Sequence, residues 1–467
     1  MSETLTPDVC VIGGGSAGLF VAAGAAQLGL GVVLIERAVM GGDCLNYGCV
    51  PSKALIAAAK AAQNRRDGQV FGIAPVEPQV DFGRVMDHVH GVIAAIAPND
   101  SVERFEKLGV RVLKESARFL DGEELQAGPF RLKPRRIVLA TGSRPTAPPI
   151  PGLADAPYLT NETIFANRAL PSHLVIIGGG PIGLEMAQAH RRLGSRVTVL
   201  EAAGFLSKDD PELSSIVVKR LEEEGVELHD KANIAHVEGT TVVLEGGERF
   251  GGSHLLVAAG RAPNVEELAL DKAGIAFTKR GITVDDSLRT SNRRVWAIGD
   301  CNGLYAFTHM AGYEASLFIR SLFRLPVRVD HSIVPWTTYT DPELAQVGLG
   351  EQAARKKHGD GIRVLRWKLA ENDRAQAERT TEGMVKVVTA SSGRILGAGI
   401  AAPHAGELIQ PWCLALSRRL KISAMASFLP PYPTLGEASK RAAGSYFTEK
   451  LFSPMTQRLV RFLSRLP

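Results

Sequence analysis

The longest stretch without charge runs from Val9 to Ile35 and is mostly apolar. A hydropathy window alone would predict a membrane span from such a run. Glycines interrupt it, however, at spacings that suit a tight turn between two elements; they are Gly13, Gly14, Gly15, Gly18 and Gly24. The pattern therefore predicts a β-strand, a tight turn, an Ala-rich helix and a second strand.

The glycines of this turn follow the pattern G-x-G-x-x-G at Gly13, Gly15 and Gly18, and Glu36 closes the next strand. The first glycine makes the turn, the second lets backbone approach a pyrophosphate, and the third lets the helix pack on the strand. The helix N-terminus then faces the phosphates. Because the strand, the helix and the acidic residue all have the required spacing, we expect a bound dinucleotide, with Glu36 on the adenosine ribose.

The same pattern occurs a second time, in HLVIIGGGPIGLEMAQAHRRLGSRVTVLE. Gly178, Gly180 and Gly183 form the turn, and Glu201 has the same offset from the first glycine as Glu36 has in the first unit. Two such units predict two dinucleotides. A carboxylate at the position of Glu201 repels a ribose 2′-phosphate, so we expect NADH rather than NADPH, although arginines such as Arg196 can assist a phosphate.

Shorter motifs follow apolar strands between and after these units: ATGSRP, AAGRAPN and VWAIGDC. After residue 330 the sequence changes to alternating strands such as MVKVVTA and then to helices. With 467 residues the chain is longer than one hydrophobic core usually supports, so more than one domain is expected. We predict an α/β protein with one Rossmann-like dinucleotide-binding domain at 1–149, continued by 270–330, and a second at 150–269. A third, α+β domain is predicted at 331–467.

Charge and cysteine content narrow the function further. A formal net charge of +5 without a clustered basic block argues against nucleic-acid binding. The polar, acidic N-terminus differs from a secretory signal, so we expect a reducing, cytoplasmic setting. Cys10, Cys301 and Cys413 lie in apolar surroundings and are expected to be buried.

The remaining two cysteines, Cys44 and Cys49, lie in GGDCLNYGCVPSK. A zinc site needs three or four ligands, and the sequence has no second closely spaced Cys or His pair. A structural disulfide is unusual in a reducing cell, and the two dinucleotide-binding patterns favour a redox-active pair over both alternatives. The sequence after Cys49 predicts a helix with Pro51 in its first turn. The positive end of its dipole and Lys53 would both favour a thiolate there.

This ordered set of motifs, together with TDPELAQVGL and PYPTLGE, resembles the pyridine nucleotide-disulfide oxidoreductases over nearly the whole chain. That family includes glutathione reductase, dihydrolipoamide dehydrogenase and mercuric reductase. The resemblance implies that the first domain binds FAD, that the second binds NAD(P) and that the third is a dimerisation domain. In the resulting homodimer the partner chain would complete each active site. The resemblance assigns Cys49 as the charge-transfer thiolate, Cys44 as the thiol that meets the substrate, and Lys53 as the partner of Glu185 beside the flavin.

The resemblance also implies the cofactor-binding residues. For the nicotinamide cofactor these are the second turn and Glu201, and for FAD they are Gly13, Gly15, Gly18, Glu36, Gly42, Lys53, Thr141, Gly142 and Asp300. Gly260 is a further cofactor-binding candidate. Asp300 is expected on the ribityl chain. No resident metal is implied.

Three features depart from the family pattern. Most members carry histidine where Tyr432 lies, hydrogen-bonded to the glutamate that matches Glu437, and use it as acid and base; tyrosine suits that task poorly because its pKa is about 10. Mercuric reductases resemble this chain in having tyrosine there. They differ in carrying a paired cysteine near the C-terminus, whereas this chain has none after Cys413. Asp43 replaces a common threonine, and we expect its charge to raise the pKa of Cys44.

The favoured function is therefore an FAD enzyme that passes electrons from NADH through Cys44 and Cys49 to an unidentified small-molecule or thiol-bound metal acceptor, in the manner of mercuric reductase. One alternative is a dihydrolipoamide dehydrogenase or glutathione reductase type. Another is an electron-transfer component that docks to a protein or membrane partner. The C-terminal tail, FTEKLFSPMTQRLVRFLSRLP, predicts a basic amphipathic helix that packs on protein or makes peripheral contact with a membrane.

Overall fold

The computed structural model describes residues 3–466. The first glycine-rich turn belongs to a sheet of five parallel strands. Their spatial order is Val295–Ala297, Arg136–Leu139, Val9–Ile12, Val32–Ile35 and Val110–Leu113. The uncharged run thus forms a strand, the helix Ser16–Gln27 and a second strand, as predicted. Every residue of its two strands is buried, because parallel sheets are covered on both faces.

Helices and a smaller sheet cover this first sheet. The helices Ser16–Gln27 and Thr308–Leu322 pack together with its apolar side chains on one face. On the other face lies a four-stranded sheet in the order Thr4–Leu5, Phe130–Leu132, Leu125–Ala127 and Ala117–Phe119. One edge strand of the parallel sheet, residues 295–297, comes from a distant part of the chain. Two separate segments therefore build one nucleotide-binding unit.

The second glycine-rich turn belongs to another five-stranded parallel sheet. Its order is Tyr158–Leu159, His254–Val257, His173–Ile177, Arg196–Leu200 and Glu227–His229. The helices Pro181–Leu193 and Pro211–Glu223 pack on one face. A three-stranded antiparallel sheet covers the other, with strands Ile234–Glu238, Thr241–Leu244 and Arg249–Gly251.

Two short antiparallel strands, Ser143–Pro145 and Arg261–Pro263, join these units. They lie where the chain leaves the first unit and where it returns. A further hairpin pairs Phe277–Thr278 with Gly281–Ile282. The helices Gly42–Asn46, Cys49–Arg66, Phe82–Ile96, Val102–Lys107 and Asn161–Ile164 complete this part of the chain.

The C-terminal part is a five-stranded antiparallel sheet in the order Pro335–Thr338, Glu343–Gly348, Ile395–Ala402, Met384–Ala390 and Ile362–Lys368. Its helices are Glu351–His358, Asp373–Glu378, Ala405–Leu408, Gln410–Ser417, Ile422–Ser427, Glu437–Leu451 and Pro454–Leu463. The predicted alternation in MVKVVTA is wrong as a burial pattern, because six of the seven residues of Met384–Ala390 are buried. Apolar clusters lie on both faces of this strand, including one that contains the helix Glu437–Leu451.

A buried ion cluster joins the C-terminal sheet to the second unit. The Lys386 side chain is 5% exposed, and its ammonium lies 2.8 Å from Asp210, 2.9 Å from Glu212 and 3.0 Å from Glu351. A buried charge is tolerated only when it is paired, so the cluster specifies how the two parts meet. Within residues 3–466, no helix has the length and apolar character to cross a membrane.

Candidate active site

The carboxyl ends of both parallel sheets open onto one cavity of about 2410 Å³. This volume is well above the roughly 300–1,000 Å³ of a pocket for one small ligand. Most of the predicted site residues line it: Gly13, Gly15, Glu36, Gly42, Cys44, Cys49, Lys53, Thr141, Gly142, Gly178, Gly180, Glu185, Glu201, Gly260 and Asp300. The fold therefore brings both glycine-rich turns and the two cysteines to one place.

The three glycines of each turn have different surroundings. A Cβ on Gly18 would lie 1.8 Å from the Gly13 carbonyl oxygen, and one on Gly183 would lie 1.9 Å from the Gly178 oxygen. These third glycines are required for packing and lie outside the cavity lining. A Cβ on Gly180, in contrast, would meet no atom within 4 Å and would extend into the cavity. The second turn thus leaves open the space that a pyrophosphate needs.

The acidic residues after each second strand hold the turns in shape. Glu36 accepts hydrogen bonds from the backbone N–H of Gly14 (2.6 Å) and of Ala38 (2.6 Å). Glu201 makes the equivalent contacts with Gly179 and Ala203. Each carboxylate therefore orders the loop in addition to facing the cavity. This supporting role was not predicted from the sequence.

Arg196 lies far from the position where a phosphate on the second ribose would need it. It begins the strand that Glu201 follows, so the two side chains are at opposite ends. Its guanidinium lies 3.1 Å from Glu227. The sequence-based expectation that Arg196 can assist a 2′-phosphate is wrong for this reason.

The two cysteines lie on successive helices. Cys44 belongs to Gly42–Asn46, and Cys49 is the first residue of Cys49–Arg66, which confirms the predicted helix with Pro51 in its first turn. Both are free thiols, and Cys49 is the more exposed. Cys49 thus lies at the positive end of a long helix dipole.

The environment separates the two thiols in acidity. A hydrogen bond from Cys44, aided by the Thr308 hydroxyl and the charge of Lys53, outweighs burial and lowers the pKa of Cys49 to about 6. The Thr308 oxygen lies 3.3 Å from the Cys49 sulfur. The same hydrogen bond holds the proton on Cys44 and, with burial, raises its pKa. Cys49 is therefore the thiolate of the pair at neutral pH.

Lys53 and Glu185 form an ion pair beside Cys49. The Lys53 ammonium donates to Glu185 at 2.8 Å, and the backbone N–H of Tyr339 donates to the other carboxylate oxygen at 2.9 Å. The ammonium also lies 4.3 Å from the centroid of the Tyr339 ring. Burial alone would lower the pKa of Lys53, but the Glu185 carboxylate outweighs it and the pKa is raised. Lys53 is thus a fixed positive charge.

Asp43 is engaged away from Cys44. Its carboxylate lies 3.1 Å from the Arg261 guanidinium and accepts a hydrogen bond from Asn161 at 2.9 Å. The expected cause of the raised Cys44 pKa is therefore wrong, since its hydrogen bond to Cys49 and burial raise it. The charge of Asp43 raises the pKa of Cys49 instead, against the stronger lowering effects.

Arg261 extends this contact to the predicted FAD region. It donates to the Ser143 hydroxyl at 2.8 Å, and that hydroxyl donates to Asp300 at 2.6 Å. Burial raises the pKa of Asp300. Ser143 and Arg261 belong to the two strands that join the nucleotide-binding units, so one chain of contacts connects Asp43 to Asp300 across the junction.

Tyr432 and Glu437 lie outside the residues that line the cavity. The Tyr432 ring is 70% exposed, and its hydroxyl donates to Asp373 at 2.9 Å. The family pattern implied a contact with Glu437 at this point. The nearby Asp373 carboxylate raises the pKa of Tyr432 above its usual value.

Several side chains of the site were not predicted from the sequence. Thr308, Tyr339 and Arg261 contact the predicted residues but lie more than 200 residues from the two cysteines. Arg261 belongs to the motif AAGRAPN, from which only Gly260 was predicted as a site residue. His309, beside Thr308, also lines the cavity. Of the predicted buried cysteines, Cys10 and Cys301 are buried, whereas Cys413 is only partly buried and lines the cavity.

Comparison with known proteins agrees with this geometry. The family described as pyridine nucleotide-disulphide oxidoreductase matches residues 7–315, and its dimerisation domain matches residues 334–443. The chain belongs to this family. Pyridine nucleotide-disulphide oxidoreductases of this type are FAD-dependent enzymes that take electrons from NAD(P)H, and the second match indicates a homodimer.

Individual members of the family are similar along nearly the whole chain. A mercuric reductase of Streptomyces lividans is 34% identical over 95% of this chain and 96% of its own. A dihydrolipoyl dehydrogenase of Geobacillus stearothermophilus is 34% identical over 93% and 95%. The solved structure of the HOCl-induced flavoprotein disulfide reductase RclA from Escherichia coli has a TM-score of 0.85 at 27% identity, covering 94% of this chain and 99% of that one. A Cu(II) complex of RclA has a TM-score of 0.83 at 26% identity, covering 93% and 98%.

Proposed function

We propose that this oxidoreductase passes two electrons from NADH to a Cys44–Cys49 disulfide and then to a thiol-bound metal ion. One observation carries the proposal. Cys49, with a pKa of about 6, lies beside the Lys53–Glu185 pair in the same cavity as both glycine-rich turns. A metal ion bound to thiolates accepts electrons without a proton relay. This suits a chain that has Tyr432 at the position where most family members have the histidine that acts as acid and base.

The residues have separate tasks in this scheme. The first turn with Glu36, Thr141 and Asp300 would hold FAD, and the second turn with Glu201 would hold the nicotinamide cofactor. Gly18, Gly42 and Gly142 would shape the FAD site, and Gly260 lines the cavity that both cofactors would share. Bound FAD would supply the chemistry that relays two electrons from NADH to the disulfide.

The electron and proton balance follows from the two thiols. NADH is oxidised to NAD⁺, and the S–S bond breaks. Cys49 remains a thiolate, stabilised by Lys53, the Thr308 hydroxyl and the helix N-terminus. Cys44 takes up a proton, as its raised pKa requires. When metal ions bind, that proton leaves and the disulfide forms again, while the two electrons reduce either one mercuric ion to Hg⁰ or two cupric ions to Cu⁺.

The choice of acceptor has support from two kinds of observation. The pKa of Tyr432 is raised by Asp373, which makes the tyrosine a still poorer base at neutral pH. Mercuric reductases are among its similar relatives, and RclA, a structural neighbour, has been solved as a Cu(II) complex. We therefore propose mercuric or cupric ions as the acceptor class, with Tyr432 and Glu437 of the partner subunit beside the metal in the homodimer.

The dithiol step is tested by anaerobic reduction with NADH. A long-wavelength absorbance between thiolate and flavin should develop in the wild type and disappear in Cys49→Ser. Cys413→Ser is the matched control, because it removes a different free thiol that also lines the cavity. If the wild type shows no such band, or if Cys49→Ser retains it, the dithiol mechanism is wrong.

The acceptor is tested by mixing the NADH-reduced enzyme with thiol-bound mercuric ion, thiol-bound cupric ion, oxidised glutathione, lipoamide or a quinone. Flavin reoxidation is the readout. Fast reoxidation by a metal adduct, with slow reoxidation by the disulfides, is the expected result. The reverse order would refute the proposed acceptor class while leaving the dithiol step intact.

A disulfide reductase is a second candidate, and His309 is the observation that favours it. Among the described residues that line the cavity, His309 is the one histidine. Its Nε2 lies 2.8 Å from the Pro335 carbonyl oxygen, so Nε2 carries the proton and Nδ1 has the free lone pair. Burial lowers the pKa of His309, which keeps the ring neutral. His309 has the protonation state of a base.

Two substitutions distinguish the candidates. If His309 is the base, His309→Gln should abolish lipoamide or glutathione turnover, and Tyr432→His should leave it unchanged. If the chain is specialised for metals, Tyr432→His should raise disulfide turnover sharply, and His309→Gln should leave metal reduction unchanged. Tyr432→Phe serves as the matched control, because it removes the hydroxyl and keeps the ring.

The preference for NADH is a separate proposal. The position of Glu201 and the distance of Arg196 from it support NADH over NADPH. Titration of the oxidised wild-type flavoprotein with analogues of NADH and NADPH measures the affinity for each cofactor. Tighter binding of the NADH analogue is the expected result. Equal or tighter binding of the NADPH analogue would refute the preference.

A further inference from the structure

The last helix, Pro454–Leu463, is separate from the packed core of the protein. From residue 454 to residue 466 every side chain is exposed except that of Thr456, which is partly buried. The match to the dimerisation domain ends at residue 443. The helix therefore lies outside the part of the chain that the family domain accounts for.

One face of this helix is a row of large apolar side chains. Met455, Leu459, Phe462, Leu463 and Leu466 recur at intervals of three and four residues, which places them on one side of a helix. They are between 50% and 78% exposed. An exposed apolar row of this size usually marks a contact surface.

A row of arginines borders the apolar row. Arg458, Arg461 and Arg465 each directly precede one of its members, so they lie about 100° around the helix on the same side. From Lys450 to the C-terminus the sequence contains no Asp or Glu. None of these three arginines forms an ion pair with a residue of the described range 3–466. The helix thus combines an apolar face with an uncompensated positive edge.

These two rows determine which partner fits. At 1.5 Å per residue the ten-residue helix is about 15 Å long, too short for the roughly 30 Å core of a bilayer, so it can only lie along a membrane surface. If the apolar rows of two copies packed together, their arginine edges would come close without acidic residues in the helices to compensate them. An anionic lipid surface satisfies both rows at once.

We infer that the helix Pro454–Leu463 binds the headgroup layer of an anionic membrane. The apolar row, which extends to Leu466, inserts below the headgroups, and Arg458, Arg461 and Arg465 contact lipid phosphates at the border. The docking is independent of the redox chemistry, since none of these residues lines the cavity with the two cysteines. It positions the enzyme at the membrane without a spanning segment.

The test is flotation of the full-length flavoprotein with vesicles. Vesicles of equal parts phosphatidylcholine and phosphatidylglycerol should bind the wild type, and pure phosphatidylcholine vesicles should bind it weakly. Arg458→Gln/Arg461→Gln/Arg465→Gln should lower the partition coefficient roughly hundredfold, since each arginine near an anionic surface contributes about fivefold. Leu459→Ser/Phe462→Ser should abolish binding.

Matched variants control for net charge and for surface hydrophobicity. Arg118→Gln/Arg135→Gln/Arg293→Gln removes three exposed charges elsewhere, and Phe323→Ser removes an exposed apolar side chain elsewhere. Both should bind as the wild type does. NADH-dependent flavin reduction, measured on each preparation, should be unchanged throughout, which separates this result from the outcome for the redox site.

Two results would overturn the inference: flotation of the wild type with neither kind of vesicle, or flotation of the tail variants to the same extent as the wild type. If the wild type does not float and Leu459→Ser/Phe462→Ser also converts the dimer to a monomer, the apolar row contacts the second copy of the chain.

Discussion

The contact between Thr308 and Cys49 makes a quantitative prediction. The Thr308 hydroxyl lies 3.3 Å from the Cys49 sulfur and is one of the causes that lower the pKa of Cys49 to about 6. Thr308→Val replaces the hydroxyl by a methyl group of similar size. The substitution therefore removes one donor to the thiolate and leaves the Lys53 charge and the helix N-terminus in place.

The size of the effect follows from the hydrogen bond. A hydrogen bond to a charged group contributes about 1.5–3 kcal/mol, and the lower value suits a weak sulfur acceptor. Since one pKa unit corresponds to about 1.36 kcal/mol, the pKa of Cys49 should rise by about one unit, to about 7. The thiolate fraction at pH 7 would then fall from about nine tenths to about half.

Alkylation measures this shift directly. The reduced protein is treated with iodoacetamide across a pH series, and mass spectrometry follows the rate at Cys49 separately from that at Cys44. The midpoint for Cys49 should move to higher pH in Thr308→Val and stay at the wild-type value in Thr308→Ser, which keeps the hydroxyl. Coincident midpoints for wild type and Thr308→Val, or equal shifts in both variants, would refute the reasoning.

Other predictions follow from contacts described above. Lys386→Met leaves three carboxylates without their shared cation, so the free energy of unfolding in a denaturant titration should fall by about 3–5 kcal/mol; an unchanged midpoint would contradict this. Gly180→Ala should keep normal stability but weaken NADH binding roughly tenfold, about 1.4 kcal/mol, by calorimetric titration. Gly183→Ala should instead lower stability by about 1–3 kcal/mol, because its Cβ has no room. Arg261→Met should raise the pKa of Cys49 in the alkylation assay, and adding Asp43→Asn should reverse the shift; persistence of the shift in the double variant would exclude the Asp43 charge as its cause.

Local spacing was sufficient to predict the nucleotide-binding turns. Each turn depends on residues within about thirty positions, and the same spacing of glycines and acidic residue occurs twice. The strand Val9–Ile12 and the helix that begins at Cys49 could be predicted for the same reason. The domain boundaries and the roles of the individual site residues stay predictions.

The parts that could not be predicted depend on contacts between distant segments. Thr308 reaches Cys49 only because the helix Thr308–Leu322 packs on Ser16–Gln27. Arg261 meets Asp43 only because the two connecting strands pair. The burial of MVKVVTA depends on elements that cover both faces of the strand. No spacing within one segment carries that information.

The protonation states of the site connect these observations to the choice of acceptor. In the proposed scheme, electrons reach the acceptor through a reduced pair in which Cys49 is a stabilised thiolate, since its pKa is about 6. Release to a disulfide needs a group that gives up and takes back a proton near neutral pH. The raised pKa of Tyr432 makes it unsuitable, and the lowered pKa of His309 means that it can accept a proton but holds it weakly. A metal ion avoids this requirement, because binding to Cys44 itself displaces the proton. Two features therefore favour a metal acceptor: the pKa values of the two thiols, and Tyr432 at the position where most family members have histidine. The first is the stronger argument.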